Sequence, residues 1–350
     1  MRIKKLQTAL KKKKIDLALI FSFDEKPNSN MVYFSNYQGV GVLAVLKNKS
    51  FLVVPDMEYE RALKTTLKIY KTDKKKRILE TLADLLKKNK IMKIGIEERK
   101  ITLYLYKKLK KALKGRYIDI SGVCSDIRMV KEKKEIALIK KACSVTDLVF
   151  TKICKNFNFK TEIELKDFIE SEIKKQGCDL AFDPIIASAK NSAQPHYIPN
   201  EKINKGFLLL DFGAKYKGYC SDMSRMLYIG QPTIKELDNF NLVLGTLKKC
   251  EEYVVKAKSY SKLYNIALVS LGNKAECFTH ALGHGLGLDI HEPPSLFTED
   301  KNKTQENVVF TIEPGIYFPN KYGIRIEDTV VMQNKKIKVL TKSKKELVII

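Results

Sequence analysis

Hydrophobic residues in the first 120 positions follow two alternating spacings. Short apolar runs predict β-strands at 17–23, 42–46 and 51–54. Apolar positions at helical spacing predict amphipathic helices at 58–66, 75–86 and 102–113. This segment contains no histidine, no cysteine and no glycine-rich phosphate loop. The pattern therefore indicates a small α/β domain that we expect to support dimerisation or to cover a site, rather than to supply chemistry.

After Ser121-Gly122-Val123 the pattern changes to longer helices separated by strands. We therefore predict two domains, 1–122 and 123–350. A helical pattern extends from about 131 to 154. Two capping boxes, Thr161 to Glu164 and Thr233 to Glu236, predict the starts of helices that end near 177 and 258.

The strands between these helices contain a weak internal repeat of acidic residues. Leu208-Leu-Leu-Asp211-Phe-Gly213 resembles Phe310-Thr-Ile-Glu313-Pro-Gly315. Downstream, Gly218 precedes Asp222 by four residues, just as Gly323 precedes Glu327. The repeat predicts two related β-hairpins, each with two carboxylates, that face each other across a common centre.

Asp211 and Glu313 each end an apolar run, so their carboxylates are expected to be buried. An unpaired buried carboxylate is costly, and four around one centre would raise one another's pKa. Two divalent cations would balance the four charges of Asp211, Asp222, Glu313 and Glu327. Oxygen ligands with one imidazole suit Mn²⁺, Co²⁺, Fe²⁺ or Zn²⁺, and the excess of oxygen favours Mn²⁺.

The chain has four histidines, three of them in the stretch His280-Ala-Leu-Gly-His284-Gly-Leu-Gly-Leu-Asp-Ile-His291. Its three glycines predict a loop or strand whose backbone approaches neighbouring groups closely. The pattern excludes the zinc-binding H-E-x-x-H helix. Neutral imidazole binds metals and transfers protons near neutral pH, so this stretch is expected to contribute to the same centre.

Charge and cysteine content limit the classes of protein that remain. Residues 1–120 contain 30 Lys and Arg but 12 Asp and Glu, out of a net charge of +25. The basic runs flank amphipathic helices with few aromatic residues, so we interpret them as solvated faces rather than a nucleic-acid site. Seven cysteines without a C-x-x-C motif indicate reduced thiols in the cytoplasm. We find neither a signal peptide nor an apolar run long enough for a membrane span.

Taken together, these motifs resemble the pita-bread metallopeptidases: methionine aminopeptidase, aminopeptidase P, prolidase and creatinase. The matching segments are Pro195-His196-Tyr197, Asp211 to Arg225, His280 to Pro294, Ile312 to Gly315 and Gly323 to Asp328. The resemblance covers about 130–350, and the first part of the chain resembles the creatinase-type N-terminal domain. It implies an α+β fold in which a small α/β domain precedes a pseudo-twofold pita-bread catalytic domain.

The resemblance also implies a role for each candidate residue. It implies that the two metal ions are bound by Asp211, Asp222, His284, Glu313 and Glu327. It further implies that His196, His280 and His291 contact the substrate and that Arg325 supports the ligands. Pro-His-Tyr together with the N-terminal domain favours the Xaa-Pro branch, and a homodimer is usual in this family.

The expected reaction is hydrolysis of the Xaa-Pro bond at the N-terminus of a proline-containing peptide, by hydroxide that bridges the metals. Glu313 would transfer the proton, His291 and His280 would hydrogen-bond the oxyanion and leaving side, and His196 would position proline. Prolidases of this family have an arginine before the Glu-Pro-Gly acid. Here the basic residues of 292–310 are Lys301 and Lys303, and there is no arginine. The missing arginine favours substrates longer than a dipeptide, whereas the overall length of the chain favours a prolidase.

Three alternatives to an Xaa-Pro peptidase remain. The same fold serves methionine aminopeptidases and creatinases. A third alternative is a non-catalytic pita-bread protein that binds nucleic acid or protein, which the basic N-terminal segment motivates. Such relatives typically lose metal ligands, whereas all five are present here.

Overall fold

The computed structural model describes residues 2–23, 27–73, 75–298 and 302–350. Contacts between residues divide the chain into two compact units, Met1–Arg128 and Met129–Ile350. The predicted boundary at 122/123 falls inside the helix Ser121–Met129, whereas the contacts divide the chain at the end of that helix. Among the residues described, no helix has the length and apolar character needed to cross a membrane.

The first unit contains one mixed sheet. Its strands within the described ranges are β1 Leu17–Ser22, β2 Gly41–Leu46, β3 Ser50–Val54, β4 Lys68–Lys71, β5 Lys93–Ile96 and β6 Arg116–Asp119. Their order is β4-β3-β2-β1-β5-β6, with β2 antiparallel to both β1 and β3. The helices are α1 Arg2–Lys12, α2 Ser29–Ser35, α3 Tyr59–Ala62, α4 Ile78–Leu86, α5 Leu103–Ala112 and α6 Ser121–Met129.

Most predicted elements of this unit are confirmed. The three predicted strands end within one residue of β1, β2 and β3, and two predicted helices are α4 and α5. The predicted helix at 58–66 is too long, because a helix forms there only over α3, Tyr59–Ala62, after the 3₁₀ turn Asp56–Glu58. Leu63 is 50% exposed, so no apolar stripe continues beyond Ala62 to hold a longer helix against the sheet.

The second unit consists of two halves with the same organisation, each a pair of helices and a sheet. The first half contains α7 Lys133–Lys155, α8 Glu162–Lys175, β7 Asp179–Leu180, β8 Ile185–Ser188, β9 Gly206–Asp211, β10 Ala214–Tyr216, β11 Tyr219–Cys220 and β12 Ser224–Ile229. The second contains α9 Ile234–Ala257, α10 Tyr260–Leu271, β13 His284–Gly285, β14 Glu292–Ser295, β15 Val309–Ile312, β16 Gly315–Phe318, β17 Tyr322–Arg325, β18 Asp328–Gln333 and β19 Lys336–Val339. The last strand, β20 Val348–Ile349, returns to pair with β12.

The predicted repeat of acidic hairpins corresponds to a repeated strand unit. In the first half β9 pairs antiparallel with β12, and the small hairpin β10–β11 lies between them in the chain. In the second half β15 pairs antiparallel with β18, and the hairpin β16–β17 occupies the equivalent position. The orders of the two main sheets are β20-β12-β9-β8 and β14-β13-β15-β18-β19.

The sheet of the first half is buried on both faces. Leu208 and Leu210 of β9 pack into a core with α7 and α8, whereas Phe207 and Leu209 pack into a core with α9 and α10. This double burial explains why β9 is a continuous apolar run rather than an alternating one. The strand therefore brings Asp211, its last residue, into the interior of the unit.

Candidate active site

One cavity of about 780 Å³ in the second unit is lined by every residue that the sequence analysis proposed for the site. These residues are His196, Asp211, Asp222, His280, His284, His291, Glu313, Arg325 and Glu327. They come from segments as far apart as 196 and 327, so the fold itself brings them together.

The repeated strand unit places the four acids. Asp211 ends β9, and Asp222 lies two residues before β12. Glu313 follows β15, and Glu327 immediately precedes β18. Because the two strands of each pair are antiparallel neighbours, the acid that ends the first strand lies beside the acid that precedes the second.

Two hydroxyl residues join the halves at this centre. The Ser224 hydroxyl donates to Glu327 Oε2 at 2.9 Å, and the Glu327 amide donates to the Ser224 carbonyl at 3.1 Å. The Thr329 hydroxyl donates to the Asp222 carbonyl at 2.7 Å. Ser224 and Thr329 each lie two residues after the second acid of their repeat. Sequence reasoning missed them, although extending the repeat by two positions would have revealed a hydroxyl in both copies.

His284 lies in β13, a strand of two residues between β14 and β15 in the sheet. A side chain at Gly283 would place its Cβ 2.1 Å from the Thr311 carbonyl, and one at Gly285 would come 2.2 Å from the Pro293 carbonyl. His284 Nδ1 lies 3.2 Å from the Gly285 carbonyl, and Nε2 lies 3.5 Å from both Asp222 Oδ2 and Glu313 Oε1. Burial lowers the pKa of His284, which favours a neutral ring with Nε2 directed at the acids.

The acids carry more negative charge than the protein balances. Burial, followed by the neighbouring carboxylates, raises the pKa values of Asp222 and Glu327 well above their ordinary values. Burial also raises the pKa of Glu313. In the described part of the chain, Asp211 Oδ1 and Glu327 Oε1 are buried without a hydrogen-bond partner. Buried carboxylate oxygens without donors are the arrangement that a divalent cation satisfies.

Three of the five predicted ligands form the most compact group. Asp222, His284 and Glu327 each offer one atom within 4.8 Å of the others. Asp211 and Glu313 lie on the same cavity but are held differently: Arg325 donates to Asp211 Oδ2 at 2.5 Å, and Thr311 donates to Glu313 Oε1 at 3.0 Å.

His280 is engaged more fully than the sequence indicated. Its Nδ1 lies 2.8 Å from the Ala281 carbonyl, and its Nε2 lies 2.8 Å from the Tyr317 hydroxyl. Arg325 also donates to that hydroxyl at 2.8 Å, so the single hydroxyl proton of Tyr317 points to His280. Burial raises the pKa of Tyr317 to about 12. Tyr317 was missed because no local pattern marks a partner 37 residues away.

His196 and His291 are the site histidines whose side chains are exposed to the cavity. The His291 ring lies 4.3 Å from the His284 ring in an edge-on arrangement. Burial lowers the pKa of His291, so its ring is neutral near pH 7. Lys303 pairs as an isolated bridge with Ser259, while Lys301 lies outside the described residues.

Two family models match the chain. The model of metallopeptidase family M24 matches residues 137–334. The model of the creatinase/prolidase N-terminal domain matches residues 2–130. Together they account for both units.

Individual proteins are similar over nearly the whole length. The Xaa-Pro dipeptidase of Pyrococcus horikoshii is 33% identical, over 99% of this chain and 98% of that protein. The structure of an Xaa-Pro dipeptidase from Bacillus anthracis matches with a TM-score of 0.92 and 32% identity, covering 100% of this chain and 99% of that one. The structure of an X-Pro aminopeptidase from Thermotoga maritima matches with a TM-score of 0.88 and 30% identity, covering 96% and 98%.

Proposed function

We propose that this chain, which belongs to metallopeptidase family M24, hydrolyses the bond between an N-terminal residue and proline in peptides. The family match confirms the predicted α+β fold, a creatinase-like N-terminal domain followed by a pita-bread metallopeptidase domain. The proline specificity is supported by similar proteins named Xaa-Pro dipeptidase and X-Pro aminopeptidase. The observation that carries the proposal is the single cavity lined by the four acids, the ligand candidate His284 and the exposed His196.

We propose that Asp211, Asp222, His284, Glu313 and Glu327 hold two divalent metal ions. The support is the charge of the buried acids and the unpartnered oxygens of Asp211 and Glu327. Four carboxylates and one imidazole favour Mn²⁺, with Co²⁺, Fe²⁺ and Zn²⁺ as alternatives. When bound, such a pair would supply Lewis-acid chemistry: it would make water acidic enough to act as a nucleophile near neutral pH and would polarise the scissile carbonyl.

The side chains around this centre would handle protons and orient the substrate. Thr311 orients the Glu313 carboxylate through Oε1. Because burial raises the pKa of Glu313, that carboxylate can take a proton and pass it to the leaving proline nitrogen. The neutral His291 borders the cavity and can donate to the developing oxyanion.

His196 and His280 are assigned to the substrate side. His196, exposed to the cavity, would pack against the proline end of the peptide. Both ring nitrogens of His280 have partners within the protein. We therefore propose that His280 forms the wall of the cavity with Tyr317 and Arg325, and reaches the substrate only when one of these bonds is exchanged.

Substrate length is tested by one comparison of peptides. Protein loaded with Mn²⁺ is incubated with an Xaa-Pro dipeptide, an Xaa-Pro-Zaa tripeptide and a Met-Ala-Zaa peptide, and released residues are quantified. Cleavage of the dipeptide alone indicates a dipeptidase, and cleavage of the tripeptide indicates an aminopeptidase, which the absence of arginine in 292–310 favours. Cleavage of the Met peptide alone would refute the proposal.

A pair of matched variants connects the activity to the site. Asp222→Asn removes a proposed ligand, whereas Asp167→Asn removes the same charge from the exposed surface of α8. Asp222→Asn should abolish metal-dependent cleavage, and Asp167→Asn should keep it. Parallel reconstitution with Mn²⁺, Co²⁺, Fe²⁺ and Zn²⁺ ranks the metals.

We also propose a homodimer in a reducing, cytoplasmic compartment. The compartment is supported by the seven cysteines, all of which are free thiols. Light scattering of the purified protein gives the oligomeric state directly.

A further inference from the structure

A fully buried glutamate, Glu162, lies at the start of α8, outside the cavity lining. Its Oε1 accepts hydrogen bonds from the Ser188 amide at 2.8 Å, the Ser188 hydroxyl at 3.0 Å and Asn191 Nδ2 at 3.2 Å. Its Oε2 accepts from the amides of Asn200 at 3.3 Å and Glu201 at 3.1 Å. One carboxylate therefore ties together both ends of the loop 188–201.

This loop carries His196 at its centre. Next to His196, the Tyr197 hydroxyl accepts from Asn191 at 3.0 Å and donates to Asn200 Oδ1 at 2.8 Å. Burial, followed by the charge of Glu162, raises the pKa of Tyr197. Among the described residues Glu162 forms no ion pair, so its charge is held by donors of the loop alone.

The opposite side of the loop is held by β17. The Ser192 hydroxyl accepts from the Gly323 amide at 2.9 Å, and Arg325 donates to the Pro195 carbonyl at 3.3 Å. Arg325 also contacts Asp211. The loop is thus attached on one side to the proposed ligand set and on the other to Glu162, whose side chain accepts five hydrogen bonds from it.

We propose that Glu162 is a positioning residue for the Xaa-Pro reaction, because it holds the loop 188–201 in the conformation that directs His196 into the substrate cavity. The inference rests on the proposed function, in which His196 contacts the proline side of the peptide. Glu162 itself touches neither the proposed ligands nor the cavity, so its effect on catalysis passes through His196.

Glu162→Gln tests the proposal at the level of single atoms. In glutamine an NH2 group replaces one of the two carboxylate oxygens. At either position this NH2 group, itself a donor, would face the N–H donors of the loop. The Ser188 hydroxyl and the Asn191 side-chain amide can turn round to accept, but the backbone amides of Ser188, Asn200 and Glu201 cannot. Glu162→Gln therefore loses either the bond to the Ser188 amide or the bonds to the amides of Asn200 and Glu201. Glu164→Gln is the matched control, because Glu164 lies in the same helical turn and, in the part of the chain that the structure describes, its carboxylate accepts from the amides of Lys160 and Thr161.

The readout is a cycle of variants with His196→Ala, measured with an Xaa-Pro peptide. Glu162→Gln should lower kcat/KM about 10- to 100-fold, mainly through KM, because displacing a substrate group by about 1 Å costs up to this factor. In the His196→Ala background the same substitution should change kcat/KM less than twofold. Bound Mn²⁺ per chain should stay at the wild-type value, and Glu164→Gln should stay within twofold of wild type.

The outcomes separate the inference from the proposed function. An equal loss in both backgrounds would mean that Glu162 only stabilises the fold, and would overturn the inference. Unchanged kcat/KM in Glu162→Gln would overturn it as well. If His196→Ala itself keeps full activity, the role proposed for His196 fails and the inference fails with it. Should Glu162→Gln not fold, Asn191→Ala removes one donor to Glu162 and must show the same dependence on His196.

Discussion

Removing one carboxylate from the acid cluster should stabilise the metal-free protein and destabilise the metal-loaded protein relative to wild type. Asp222 and Glu327 offer oxygens within 4.8 Å of each other. Two unit charges at that distance repel by about 3.5 kcal/mol at an effective dielectric constant of about 20. Asp222→Asn removes this repulsion and keeps nearly the same shape. For a unit of this size the midpoint of thermal unfolding should rise by roughly 7–14 °C in EDTA.

Saturating metal should reverse the order of the two proteins. A ligand at about 1,000 times its Kd stabilises the native state by about 4 kcal/mol per site. Wild-type protein should gain this free energy, whereas Asp222→Asn lacks a proposed ligand and should lose most of the gain. The assay is thermal unfolding followed by circular dichroism at pH 8, in EDTA and in Mn²⁺, with Asp167→Asn as the charge-matched control. If Asp222→Asn is less stable than wild type in EDTA, the repulsion argument is wrong.

Three further perturbations test other parts of the second unit. Lys131→Met removes a buried ammonium group that lies 3.2 Å from Glu292 Oε2, and should lower the free energy of unfolding by about 3 kcal/mol in urea. The double variant Lys131→Met/Glu292→Leu should recover most of this loss. An equal loss of unfolding free energy in the single and the double variant would contradict the prediction. Burial, followed by the neighbouring Asp328, raises the pKa of Glu251 to about 7. Between about pH 4.5 and about pH 7 the native state therefore keeps a proton on Glu251 that the unfolded state releases. The free energy of unfolding consequently falls as pH rises through this range. Glu251→Gln should remove that fall. If the free energy of unfolding, measured in urea, still falls with pH by the same amount in the variant, this origin is excluded. Tyr317→Phe deletes the hydroxyl that holds His280 and should cost about 1–3 kcal/mol together with a loss of kcat/KM. Unchanged urea unfolding and peptide kinetics would show that this bond is dispensable.

Features encoded within a few residues were predictable from the sequence. The capping boxes at Thr161 and Thr233 start α8 and α9 at the predicted positions, because the side chain and the amide that it caps are three residues apart. The acid repeat was also visible, because Asp222 and Glu327 keep the same distance from a preceding glycine. Their meeting in one cavity followed from the repeat.

Features that depend on distant partners were not predictable. Glu162 reads in the sequence as an ordinary residue in the first turn of a helix, yet it is fully buried under a loop that begins 26 residues later. Tyr317 reads as one apolar position of a strand, and only the pairing of β16 with β17 brings its hydroxyl to Arg325. The α1 helix was missed because three apolar residues among many lysines form too short a pattern to distinguish a helix from a charged tail.

The exchange of hydroxyl contacts between Ser224 and Glu327, and between Thr329 and Asp222, has a consequence for protein synthesis. Translation proceeds from the N-terminus, so Asp211 and Asp222 leave the ribosome about a hundred residues before their counterparts. Until β17 and β18 have been made, the first half has two acids at the ends of its strands but lacks Arg325, which contacts Asp211, and Thr329, which holds the Asp222 carbonyl. A product that stops before Glu327 can keep the N-terminal unit intact and still lack the centre. With the proposed ligand set, metal binding would therefore report that the second half of the second unit has been synthesised and has docked.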